Sequence, residues 1–342
     1  YLMFHICINH LIHDTLTIEA EFELKAGEIT TLIGKSGSGK SSLLNLITGV
    51  IHGKNVQIES DTVTYQDIQT GTFIPVHERK FGYIQQKAQL FSHLSVWENL
   101  TYSRVPLDEK KLEDYLDIFE LRPHLNKRVR ELSGGEAQRV SIVRTLMSEP
   151  ELLLIDEGFS ALDPNLRLKL RDYLQTLKKE LNIPILFVTH DLYEAYQLSD
   201  YVLFIENGKL IEQGTKQQMF HFPSNIKTAR FIGVENIFKA SSEDGQLKID
   251  ERLFEVDVSN VQVKSIGIKA THVSIHEEGL PAHVEKVIDD LTSVTIYLRL
   301  NGLHHPLLMK LSPLEAAKHH LHLHQQLNVK IHQFIFLEGH CD

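Results

Sequence analysis

Gly34-Lys35-Ser36-Gly37-Ser38-Gly39-Lys40-Ser41 leaves this chain few architectures to choose from. It fits G-x-x-x-x-G-K-[ST] at every fixed position. Its flanks agree. Glu28 to Ile33 alternates and is β-branched, which predicts a strand. Ser41 to Thr48 predicts a short helix that stops at Gly49. Such a loop binds an anion: glycines let successive N–H groups turn inward, and the helix N-terminus adds partial positive charge. Lys40 can then reach β- and γ-phosphates, and the Ser41 hydroxyl can ligate Mg²⁺. The alternative, a flexible Gly/Ser turn, matches this pattern by composition in on the order of one chain in a hundred. A nucleoside triphosphate is the expected ligand.

The 342 residues allow two domains. With 45 acidic against 35 basic residues the net charge is −10, which argues against nucleic acid or an anionic membrane surface as partner. Cys7 and Cys341 form no disulfide framework and suggest a reducing compartment. No apolar run approaches the roughly 18 residues that span a bilayer. No signal-peptide pattern opens the chain, and Tyr1 in place of Met suggests that a few residues precede it.

Leu2 to Ile8 and Leu16 to Leu24 predict strands ahead of the loop. Ile51 to Phe81 predicts short strands, Asp108 to Arg130 a charged helical stretch, and Leu132 to Arg139 the opening of a helix that runs to about Met147. Leu152 to Asp156 and Pro184 to Thr189 read as strands buried on both faces, flanking an amphipathic helix from Asn165 to Leu181. Tyr201 to Glu212 predicts a hairpin turning at Asn207-Gly208. Strands alternating with helices around a phosphate loop indicate a doubly wound parallel sheet. Ser241 to Gly245 reads as a polar linker, and short β-patterned segments follow it.

Five motifs in this order resemble the ATP-binding-cassette (ABC) ATPases, specifically the nucleotide-binding subunits of importers. They are the phosphate loop, Gln86, Leu132-Ser133-Gly134-Gly135-Glu136-Ala137-Gln138-Arg139, Asp156-Glu157 and His190. The resemblance implies an α/β P-loop NTPase core over residues 1–238 with a helical subdomain at about 88–147. A small all-β, OB-like module is implied over 239–342.

The site roles follow from the resemblance. Gly34 to Ser41, with Ser42, would hold the triphosphate of ATP. Ser41, Gln86 and Asp156 would surround Mg²⁺, and Glu157 would be the general base. Gln85, beside Gln86, is the alternative for that position. His190 would contact the γ-phosphate. Ser133 caps a helix with Glu136 three residues on, which alone means only a helix start. Gly134 and Gly135, however, bare N–H groups that suit a phosphate. In the family, these donors clamp ATP held by a second subunit, which implies a head-to-tail homodimer. Ser160 to Asp163 matches the loop that communicates across it. Phe91 and Trp97 would pack beside a membrane partner or, equally, within the core.

Two departures stand out. The family's adenine-stacking aromatic is missing from His10 to Asp14, so an imidazole stacks instead or the base is held weakly. Gly158 follows Glu157 where Pro is common, adding backbone freedom. In the C-terminal module, Gly267 to Ile275, Leu280 to Val284 and Leu311 to Pro313 resemble a TOBE/Mop-like domain, most similar to those of molybdate importers. That module would bind an oxyanion or be purely structural. His304-His305 and His319 to His324 read as surface connections rather than metal sites.

The expected activity is ATP hydrolysis at the cytoplasmic face of the membrane. It would drive integral permease subunits fed by an extracytoplasmic oxyanion-binding protein. Molybdate is the expected solute, ahead of sulfate, then iron, polyamines or sugars. The rivals are a soluble ABC protein acting on ribosomes or DNA and a sensor with a dead cassette. The single phosphate loop weighs against the first, and intact Lys40, Asp156, Glu157 and His190 against the second.

Overall fold

A computed structural model describes residues 2–12, 15–102, 105–159 and 162–338. The chain divides into two compact units, 1–216 and 217–342. No helix among the described residues is long and apolar enough to cross a membrane.

The first unit runs β1 (Met3–Ile12), β2 (Leu16–Lys25), β3 (Ile29–Ile33), α1 (Lys40–Thr48), β4 (Val56–Ser60), β5 (Thr64–Asp67), β6 (Thr72–Phe73) and β7 (Phe81–Ile84). Then come α2 (Val96–Thr101), α3 (Glu109–Ile118), α4 (Gly134–Leu146), β8 (Leu152–Asp156), α5 (Pro164–Leu181), β9 (Ile185–Val188), α6 (Leu192–Leu198), β10 (Tyr201–Glu206) and β11 (Lys209–Thr215). Their strands form one sheet in the order β6-β5-β4-β1-β2-β11-β10-β3-β9-β8-β7.

From β10 to β7 every pairing is parallel. β3 and β9 are buried throughout, and so are the first four residues of β8, as expected for strands covered on both faces. The other half departs from the doubly wound expectation. β1 pairs antiparallel with both β2 and β4, and β4 with β5. The three residues between β1 and β2 are too few for a parallel crossover, which needs a dozen or more. β2 alternates accordingly, burying Ile18, Ala20, Phe22 and Leu24 and exposing Glu19, Glu21 and Glu23.

Between Asp108 and Arg130 only α3 is α-helical, followed by 3₁₀ turns at Arg122–His124 and Val129–Glu131. Glu120 at φ 53° leaves the helical region, and Pro123 has no N–H to continue it.

α7 (Lys216–His221) starts at the last residue of the first unit, and the second unit goes on with α8 (Ile226–Phe231), β12 (Asn236–Glu243), β13 (Gln246–Ile249), β14 (Arg252–Asp257) and β15 (Ser265–Ile268). It continues with β16 (Val273–Asp289), β17 (Val294–Leu300), β18 (Leu307–Leu311), α9 (Pro313–Lys318), β19 (Gln326–Ile331) and β20 (Ile335–Leu337). Two sheets, β14-β13-β12-β15-β20 and β18-β17-β16-β19, share a core that includes Phe238, Leu247, Ile266, Val284, Ile296 and Met309. Ser241 to Gly245 is no linker: Ser241 to Glu243 end β12. Asp244 (φ 51°) and Gly245 (φ 81°) make the two-residue turn into β13, with Glu243 facing Gln246. His319 to His324 join α9 to β19 at the surface. Among the described residues no group of three or more His, Cys, Asp or Glu is placed to hold a metal ion.

Candidate active site

The phosphate loop connects β3 to α1. A Cβ on Gly34 would lie 2.3 Å from the Ile205 carbonyl oxygen, so no side chain fits there. Gly39 caps α1 at φ 102°, a conformation natural only to glycine. Lys40, 8 % exposed, folds its ammonium back onto the Gly34 and Lys35 carbonyls at 2.8 and 2.9 Å. Burial pushes its pKa down, opposed by the charges of Glu157 and Asp156.

β8 and β9 lie side by side, and parallel pairing brings their carboxyl ends to the edge where the loop also emerges. Asp156 closes β8. Burial pushes its carboxyl above the usual aspartate value and neighbouring Glu157 adds to that, while hydrogen bonds from the Ser41 and Tyr83 hydroxyls oppose it. The Tyr83 hydroxyl is 3.5 Å from Asp156 Oδ2. Glu157 adopts φ 48°, in the left-handed region that non-glycine residues seldom occupy. Its Oε1 lies 2.9 Å from His190 Nδ1, and its Oε2 accepts from Gln86 Nε2 at 3.3 Å.

These groups border one cleft of about 520 Å³. Ser36, Gly37, Gly39, Lys40, Ser41 and Ser42 form one wall, facing Gln86, Asp156, Glu157 and His190. Gln86, not Gln85, enters this lining. A network that sequence reasoning missed sits behind His190. The Thr189 hydroxyl donates to Glu194 Oε2 at 2.8 Å and accepts from the Asp191 N–H, and Arg171 on α5 donates to Glu194 Oε1 at 2.7 Å. All three residues are buried, so the pair needs each partner to offset its desolvation.

A family model described as ABC transporter matches residues 18–160. The chain is 33 % identical over 282 residues to the Fe(3+) ions import ATP-binding protein FbpC of Photobacterium profundum, spanning 79 % of this chain and 78 % of that one. The chain belongs to the ABC transporter family. It is also 40 % identical over 195 residues to the molybdenum import ATP-binding protein ModC of Pasteurella multocida, covering 57 % and 56 % of the two chains. Solved cbiO1 from Clostridium perfringens, part of the ABC transporter complex cbiONQ, superposes with TM-score 0.53 at 26 % identity, over 64 % of this chain and 90 % of that one. This chain is thus an ATP-binding ATPase subunit of an ABC importer.

In this ABC subunit, Ser133, Gly134, Gly135 and Glu136 do not line the cleft. They start α4 through a capping box: the Ser133 hydroxyl accepts from the Glu136 N–H at 3.3 Å, and the Glu136 carboxylate from the Ser133 N–H at 2.6 Å. Asp163 caps α5, accepting from Leu166 N–H at 3.0 Å; Ser160 and Ala161 of that loop lie outside the described residues. So do His13 and Asp14 of the adenine-side stretch, while His10 Nδ1 accepts from the Lys54 N–H and Leu16 puts an aliphatic wall on the cleft. Phe91 and Trp97 stand 36 % and 41 % exposed, which removes the core-packing alternative. Phe91 lies under the Arg144 guanidinium at 4.8 Å.

Gly158 turns out to matter for space rather than backbone freedom. A Cβ there would meet Ile84 Cγ2 at 2.7 Å and Ile155 Cγ2 at 2.9 Å, both fully buried. Gly158→Ala is expected to cost about 1–3 kcal/mol by overpacking, read as a melting temperature lower by about 2–12 °C. An unchanged melting temperature would show that the two isoleucines yield freely.

Proposed function

We propose that two copies of this chain close head to tail over two ATP molecules, and that hydrolysis drives a separate membrane permease from its cytoplasmic side. The observation that carries this is the Glu157 carboxylate held between His190 and Gln86 across the cleft from the phosphate loop. Phosphoryl transfer needs positioned charge and an oriented water more than covalent chemistry. Lys40 exchanges its two carbonyl contacts for phosphate oxygens. Glu157 accepts the proton of the attacking water, with His190 fixing its carboxylate. The Gly134-Gly135 tip of α4 receives the γ-phosphate of the nucleotide on the partner copy.

Ser41 and Asp156 suit Mg²⁺: a hydroxyl and a partly buried carboxylate already pair there, and Gln86 adds an amide oxygen nearby. When bound, the ion supplies positive charge to the β- and γ-phosphate oxygens.

Molybdate is our reading of the solute, supported by the TOBE/Mop-like phrases and the 40 % identity to the Pasteurella multocida protein. The longer match to the Photobacterium profundum protein favours ferric ion as the second reading. The test is ATP hydrolysis in proteoliposomes that hold this subunit with a molybdate-importer permease and its binding protein. Molybdate is expected to stimulate turnover severalfold. Stimulation by ferric ion without any by molybdate would overturn the solute and leave the ATPase reading standing.

A further inference from the structure

β7 and β8 pair through Ile84 and Ile155, and there their ladder stops. Just beyond, the two chains carry Gln86 and Glu157, whose side chains must meet for the carboxylate to be held. In the sheet, the Glu157 N–H donates to the Val188 carbonyl at 3.1 Å and ties Glu157 to β9. A side chain from another element ties both loops at once.

Gln138 on α4 is 1 % exposed. Its Nε2 donates to the carbonyl of Gln85, directly before Gln86, and to the carbonyl of Gly158, directly after Glu157, each at 2.9 Å. Both partners are carbonyl oxygens, so the amide nitrogen must face them, and its two hydrogens are both used. Gly158 cannot slide away from this contact, because Ile84 and Ile155 hem it in.

We propose that Gln138 is a positioning residue for hydrolysis, tying the two catalytic loops to α4 so that the helix sets the spacing of Gln86 and Glu157. α4 begins four residues earlier at Gly134, so a push on that tip reaches both loops through one rigid turn. Resting on the two-copy reading above, this makes seating on the partner's nucleotide align the chain's own base.

Gln138→Met keeps the volume and removes the donor. It is expected to lower kcat about tenfold or more while KM for MgATP moves less than about twofold. In a Gln86→Ala background the same change is expected to cost little further, because Gln138 acts through the Gln86–Glu157 contact. Unchanged kcat in Gln138→Met, or effects that simply multiply in the double variant, would overturn the proposal. Should Gln138→Met fail to fold, Gln138→Asn keeps an amide but falls one methylene short, and the same outcomes apply. A control separates the two readings: Glu157→Gln alone must form an ATP-bound dimer. If it does not, the two-copy reading fails. If it does but Gln138→Met/Glu157→Gln does not, Gln138 belongs to dimer assembly and the positioning role is overturned.

Discussion

Glu157→Gln is expected to lower ATP turnover by about a thousandfold, within the range a lost general base accounts for, and to leave an ATP-bound dimer visible by size-exclusion chromatography. The substitution is nearly isosteric. Its amide can still take a hydrogen bond from Gln86 and meet the His190 ring, so the geometry of the cleft persists while the proton acceptor is gone. The phosphate loop and the Lys40 contacts to the Gly34 and Lys35 carbonyls stay in place, although Lys40 loses one of the two carboxylate charges that oppose the effect of its burial. Hydrolysis at the parental rate would remove Glu157 as the base and leave the role open to another group on the cleft wall.

Gly134→Asp tests the other half of the proposed composite site. A Cβ at Gly134 meets no atom within 4 Å, so a single chain accommodates the new side chain. The helix itself should gain slightly, since an acidic residue in the first turn complements the dipole. Against a partner's γ-phosphate the same carboxylate is repulsive and blocks the bared N–H groups. We expect turnover to fall about a hundredfold or more, with ATP binding to the single chain and its melting temperature preserved. Full activity in this variant would show that the tip does not face nucleotide.

Much of this site is legible in the sequence, because its motifs are local. A glycine-rich loop between a strand and a helix, an apolar run ending in Asp156-Glu157, and a capped helix start each declare themselves within about ten residues. What escaped was set by distant pairing. The antiparallel wing follows from the short β1–β2 connection, which alternation alone does not reveal. Asp244-Gly245 carried a hairpin signal, but the serines before it masked the strand it ends. Gln138 lies inside a recognised motif, yet its role depends on two carbonyls 53 and 20 residues away. The buried Arg171–Glu194 pair likewise joins helices whose sequences give each residue the look of a solvated charge.

The backbone of Glu157 has one more implication. At φ 48° it sits where an ordinary side chain costs about 1–2 kcal/mol. Under the proposed base role, hydrolysis requires an acid there despite that cost. Glu157→Gly would relieve that backbone cost while removing the carboxylate, so heat resistance and turnover are set against each other at this one position.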